Sequence, residues 1–205
     1  MRTAVVVTVA LMLACASAPA EELWVIKDGV LDKEALTPGA TSSGKDHVYC
    51  GGETVDGLHV STTQAGGLQN FARFTTAKSA LGDCELKAVF SCAAGRPEWR
   101  IPSITITDRG RLCFWKTGSP MCMSTRKVAL PLEGFQVPTE KNPFDGNLHS
   151  MAVKRVGDKI SFYYDDKKMN EQPIDPDVNL HLWFDALRTT IKIKSIKLTA
   201  EKLSD

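Results

Sequence analysis

The chain lacks most of the patterns that announce chemistry. No two cysteines stand two to four residues apart and the four histidines are scattered, which removes the ligand spacing of a zinc site. No Gly-x-Ser-x-Gly elbow and no glycine-rich phosphate loop occurs, so neither that class of serine hydrolase nor a nucleotide cradle is written here. After residue 20 no stretch is apolar or long enough to span a bilayer. Gly/Ser linkers, internal repeats and low-complexity tracts are missing, which argues for one domain. An excess of either charge is missing as well: 25 basic residues stand against 24 acidic ones, so long-range attraction to nucleic acid or an anionic membrane has no basis.

What is present begins with a secretory leader. Arg2 supplies the positive start, Ala4 to Ala14 a short apolar run, and Ala18-Pro19-Ala20 a small-residue cleavage site before Glu21. The expected mature chain is residues 21–205, secreted or periplasmic, and large enough for a single domain with a full core. A lipoprotein anchored through Cys15 is the minor alternative, because Met12-Leu13-Ala14 lacks the branched residue usual three places before the lipidated cysteine.

Beyond the leader, period-two alternation dominates. Asp83 to Cys92 sets Cys84, Leu86, Ala88, Phe90 and Cys92 against Glu85, Lys87, Val89 and Ser91. The stretch from Asp145 to Leu198 reads as four strands. His149 to Val153 leads through a Gly157-Asp158 turn to Ile160, Phe162 and Tyr164, and a Pro-punctuated loop then follows Asp165-Asp166-Lys167-Lys168. Next, Leu180, Leu182 and Phe184 oppose His181, Trp183 and Asp185. In the last strand the apolar parity switches from Ile191 and Ile193 to Ile196 and Leu198, which predicts a β-bulge near Lys194-Ser195. Further strands are expected at Leu23–Leu31 around a Lys27-Asp28-Gly29 turn, and at 58–62, 68–74, 101–107, 112–115 and 121–125, with a surface loop over 37–54. The expectation is an all-β, antiparallel jelly-roll sandwich of about eleven strands without helices.

Several segments carry a resemblance. Asp145-Gly146-Asn147-Leu148-His149, the alternating strand, Gly157-Asp158 and the run to Asp165 resemble the DG-x-WH to v-DG pattern of concanavalin A-like domains, found in laminin G modules and in bacterial 3-keto-disaccharide hydrolase domains. Leu148 stands where the tryptophan usually precedes the histidine, and Asp166 where glycine usually follows the aspartate. Trp24 to Leu31 is similar to the first strand of the hydrolase domains, and Gly82 to Leu86 to their G-D-x-E-L segment, with Cys84 in the aromatic position. The resemblance implies the sandwich architecture and leaves the substrate open.

Loss of Cys15 with the leader leaves an odd number of cysteines. Cys84 and Cys92 share a strand about 26 Å apart and cannot bond each other. Cys113 and Cys122 flank Thr117-Gly118. A tight hairpin there sets them opposite and allows a disulfide, whereas a longer loop through Pro120 makes them diagonal and forbids it. In the first case Cys50 is the candidate partner for Cys84 or Cys92; in the other reading the inward cysteines are simply buried apolar residues.

The glucanases that share this fold carry Glu-x-Asp-x-Glu on one strand, a spacing absent here. Glu85, Glu98 and Asp185 are the candidate carboxylates, with solvated surface groups as the competing reading. Asp165-Asp166 and Asp175-Pro176-Asp177 are loop aspartates of the kind that ligate calcium in laminin G modules, or else plain turn chemistry; no cofactor is otherwise expected. Trp183 with His181 and Asp185, Trp99 with Arg96, and Trp115 place indoles on polar strand faces, where sugar rings stack; the competing reading makes them core. The leading expectation is a secreted, non-catalytic module that binds carbohydrate. A glycoside-cleaving hydrolase like the 3-keto-disaccharide hydrolases and a laminin G-like protein-interaction module are the alternatives.

Overall fold

The computed structural model describes residues 19–36, 52–54, 57–61, 71–92, 101–106, 110–114, 120–123, 143–187 and 190–205. Every regular element among them is a strand: β1 (Glu21–Lys27), β2 (Val30–Leu31), β3 (Gly52–Thr54), β4 (Gly57–Ser61), β5 (Phe71–Thr75), β6 (Ser79–Cys92), β7 (Ile101–Ile106), β8 (Gly110–Phe114), β9 (Pro120–Met123), β10 (Leu148–Val156), β11 (Lys159–Tyr164), β12 (Lys167–Pro173), β13 (Leu182–Leu187) and β14 (Thr190–Ser204). The fourteen exceed the expected eleven because β2, β3 and β12 are short or polar and carry little apolar alternation.

Two antiparallel sheets result. The large one has nine strands, in the order β12-β11-β10-β6-β14-β1-β2 with β4 on β14 and β3 on β4; the small one has five, ordered β5-β13-β7-β8-β9. Their inner faces meet in one core, where Phe90 of β6 and Phe184 of β13 bring ring centroids within 5.4 Å across the gap. Leu86, Ala88, Met151, Val153, Ile196 and Leu198 line the large sheet's inner face, and Phe74, Ile104, Ile106 and Leu182 the small sheet's. Each such large side chain contributes about 1.5–3 kcal/mol on burial.

Local chemistry explains the turns and the long strands. Gly157 takes φ 55° at the first position of the two-residue β10–β11 turn, a left-handed conformation that suits glycine and keeps the hairpin's twist. The expected bulge is present: β14 shifts register against β6 between Ile193 and Ser195, and again between Ala200 and Lys202. One expectation is corrected. Asp165 and Asp166, at φ 47° and 60°, form a tight left-handed turn that returns directly as β12, so the stretch from Asp145 to Leu198 holds five strands rather than four. Asp tolerates that region better than most residues, which is why a turn forms without the usual glycine. The polar sequence of β12, Lys-Lys-Met-Asn-Glu-Gln-Pro, hides an edge strand that buries only Met169.

Candidate functional site

The indole-bearing stripe predicted on β13 takes the expected alternation. Leu180, Leu182 and Phe184 are buried, while His181 is exposed and Trp183 half-buried on the opposite side. Trp183 sits in register with Thr75 of β5 and Thr105 of β7, so it is flanked by a strand on each side on the small sheet's outer face. The Arg73 guanidinium lies 4.9 Å from the centre of its ring, a cation–π contact that fixes the indole and sets a fork of donors beside it. His181 Nδ1 lies 3.3 Å from the Ser79 hydroxyl at the end of the stripe. The backbone of Asp185 continues the strand in register with Arg73 and Ser103. Trp99, Arg96, Glu98 and Trp115 lie outside the described residues, as does Cys50.

The carboxylate candidates Glu85 and Asp185 stand on different sheets. Glu85 is on the outer face of the large sheet, in register with Lys154 and Thr199, and lines a shallow recess of about 430 Å³ with Asp83, Thr199 and Glu201. Asp185 belongs to the small sheet. Face-to-face sheets stand about 10 Å apart, so the backbones of these two residues lie in separate layers.

Cys84 and Cys92 are both buried on the inner face of β6, the setting of the apolar reading of the inward cysteines. Burial pushes the Cys84 thiol up against the pull of the neighbouring Arg155 guanidinium, so it is a poor nucleophile. In the β8–β9 pair Cys113 stands opposite Met121 and Cys122 opposite Leu112, the longer-loop register that takes the two cysteines out of direct opposition.

Two buried polar groups escaped the sequence reading. His149, 6% exposed, places Nδ1 2.9 Å from Asp165 Oδ2 and Nε2 3.0 Å from Asp145 Oδ1, and its ring stacks on Tyr164 at 5.3 Å. Each ring nitrogen thus faces a carboxylate oxygen that can accept a proton-bearing N–H. Partial burial raises the Asp145 carboxyl, but hydrogen bonds from Asn147 and His149 outweigh it and bring the pKa down to about 2. Six residues along the same strand, Arg155 is 1% exposed and donates to the carbonyls of Gly82, Val178 and Ala80. The usable signal was parity: both share the inward register of Met151 and Val153, where a polar residue demands buried partners.

The loop aspartates have partners within the protein. Asp165 directs its oxygens at His149 and the Ser150 N–H, Asp166 at Lys87, and Asp175 at the Asp177 N–H, which is turn and ion-pair chemistry. Among the described residues no group of three or more His, Cys, Asp or Glu converges as a metal site requires. Among the described residues no helix is long and apolar enough to cross a membrane.

No family model matches the chain, and no curated protein does. Solved structures do match. A Crh5 transglycosylase in complex with NAG superposes with a TM-score of 0.61 at 11% identity, covering 91% of this chain and 86% of that one. The carbohydrate recognition domain of Emp47p gives 0.59 at 7% identity, over 89% of this chain and 97% of that one. An alginate lyase from Corynebacterium sp. gives 0.50 at 10%, over 72% and 76%. The protein therefore has the lectin-like β-sandwich fold that these structures share.

Proposed function

We propose that this chain is an exported, non-catalytic β-sandwich module that recognises carbohydrate on the outer face of its small sheet, with Trp183 as the stacking platform. The observation that carries the reading is the half-buried indole between β5 and β7 with the Arg73 guanidinium held 4.9 Å from its ring. A sugar ring offers an apolar face to the indole and hydroxyls to the guanidinium and to His181. The fold shared with a carbohydrate recognition domain and a transglycosylase agrees with that ligand class. The separation of Glu85 from Asp185 speaks for binding over cleavage. Removal of residues 1–20 would leave Glu21, the first residue of β1, as the mature start of a single domain.

Trp183→Ala tests this directly. Glycan-array signal and titrated affinity should fall roughly tenfold, while melting should shift only slightly because the ring is already half in solvent. A stability loss of about 3–5 kcal/mol with unchanged glycan binding would make Trp183 a core residue and remove the site.

A further inference from the structure

The outer face of the large sheet carries an array that the Trp183 site does not use. Register places Trp24 of β1 beside Lys197 of β14, Lys197 beside Lys87 of β6, Lys87 beside Ala152 of β10, and Ala152 beside Tyr163 of β11. Tyr163 stands opposite Lys168 of β12, which closes the row. These side chains point away from the core, because the residues flanking them (Ile196 and Leu198, Leu86 and Ala88, Phe162 and Tyr164) are the buried ones. The row thus runs straight across the strands with an aromatic near each end, and Ala152 between them is buried beneath its neighbours. At about 4.8 Å per strand, Trp24 and Tyr163 stand about 19 Å apart.

The charges along this row are matched. Lys197 pairs with Glu22, Lys87 with Asp166 at 2.7 Å, and Lys168 with Glu171 at 2.8 Å. Trp24 is held from both β1 and β14, with the Lys27 and Lys197 ammonium groups 5.5 and 4.9 Å from its ring centre. An anionic ligand would have to displace a carboxylate from each lysine. A neutral polyhydroxyl chain would not: its hydroxyls can accept from an ammonium and donate to the adjacent carboxylate at once, and its apolar ring faces can lie on Trp24 and Tyr163.

We infer that the row from Trp24 to Tyr163 is a second saccharide-binding track, on the sheet opposite Trp183, for a linear, uncharged polysaccharide chain lying across the strands. The track extends the carbohydrate reading of the fold but uses none of the residues of the Trp183 site, so either can fail alone. Two tracks on opposite faces would let one molecule bridge two chains of a polymer.

The test titrates the full mature chain with linear neutral gluco- and chito-oligosaccharides of increasing length, using calorimetry, beside alginate and heparin as charged probes. Affinity for one neutral series should rise until the oligomer spans both aromatics. Trp24→Ala should lower it roughly tenfold, Tyr163→Ala less, and the double variant should lose the dependence on length. Trp183→Ala should leave that dependence in place. Lys197→Met, which spares the indole, serves if Trp24→Ala melts early, and should also weaken binding. An unchanged affinity in Trp24→Ala and Lys197→Met overturns the track while leaving the Trp183 reading intact. Loss of all binding in Trp183→Ala does the same. Binding confined to alginate or heparin and lost in salt overturns the neutral ligand. Sedimentation that turns from dimer to monomer in Trp24→Ala, with no effect on sugar, makes the face a self-contact instead, and no binding by the wild-type chain ends both readings.

Discussion

Strand β10 buries a polar side chain near each end, and the two are satisfied in opposite ways. His149 is held by side chains close in sequence, Asp145 four residues before it and Asp165 at the far end of the next strand. Arg155 is held by backbone carbonyls of Ala80, Gly82 and Val178, all more than twenty residues away. One end is a local clamp that shapes a turn. The other is a long-range anchor that ties β10 to the start of β6 and to the segment leading into β13, where the two sheets join. The Ala80 and Leu180 backbones exchange hydrogen bonds in both directions at that junction, beneath the guanidinium. A guanidinium suits this task because its rigid fork reaches several acceptors at once.

The largest effect is therefore expected at the anchor. Arg155→Met keeps the apolar stem and removes the fork, leaving the Gly82 and Val178 carbonyls without that donor in a part-buried site, at a cost of about 3–5 kcal/mol. Urea unfolding should show a lower midpoint at unchanged slope. A loss under about 1 kcal/mol would mean that water replaces the guanidinium and that the anchor is not structural.

The clamp should cost less. His149→Ala opens a small cavity against Tyr164 and removes donors from both carboxylates, but Asp145 is partly exposed and recovers water, so about 2–3 kcal/mol is expected. If the contrast with Arg155 holds, hydrogen exchange in His149→Ala should quicken around residues 143–150 and 164–168 and leave β6 protected. Equal loosening at both ends would erase the distinction between a local clamp and a global anchor.

That same distinction sets what could be read from the sequence. The alternation in β6, β10, β11 and β13, the bulge after Ile193 and the Gly157-Asp158 turn were legible because each rests on neighbours within a few residues. β12 was not, since its apolar content is one methionine and its pairing is fixed by a turn of two aspartates. The outward position of Trp183 followed from parity with Leu182 and Phe184, but Arg73, the cation beside it, comes from a strand 110 residues earlier and no local pattern announces it. Trp24 was visible only as part of a first-strand resemblance; its setting beside Lys197 depends on pairing between the two ends of the chain. Cys84 and Arg155 likewise meet only through the β6–β10 register.

A pH effect sharpens the clamp further. The Asp145 carboxyl is depressed to about 2 from an ordinary value of 3.8, so its contribution is fully present above about pH 4 and is lost as pH falls through 2. Its side chain is 38% exposed, and solvent screening holds the effect to a few tenths of a kcal/mol. Glu171 on β12, depressed to about 2 chiefly by its hydrogen bond from Lys168, titrates over the same interval. Melting of Asp145→Asn and wild type should therefore differ at pH 5 and converge toward pH 2. A difference that persists at pH 2 would assign the stabilisation to something other than the carboxylate's charge.

The smallest effect belongs to the turn that delivers Asp165 to His149. Both of its aspartates are left-handed, at φ 47° and 60°, yet only Asp165 spends its carboxylate on the clamp; Asp166 reaches outward to Lys87. Asp166→Gly relieves a left-handed side chain, worth up to about 1 kcal/mol, and removes an exposed ion pair worth about 0–1 kcal/mol. Glycine also adds freedom to the unfolded chain, a penalty of about 0.4–1 kcal/mol. These terms nearly cancel, so the variant should lie within about 0.5 kcal/mol of wild type, with the β11–β12 hairpin intact. Asp165→Gly relieves similar strain but strips the acceptors of His149 Nδ1 and the Ser150 N–H, and should fall with the His149→Ala loss. Melting the two glycine variants side by side isolates the carboxylate from the backbone. Equal stability in both would show that the turn's conformation, not the Asp165 side chain, holds this end of β10.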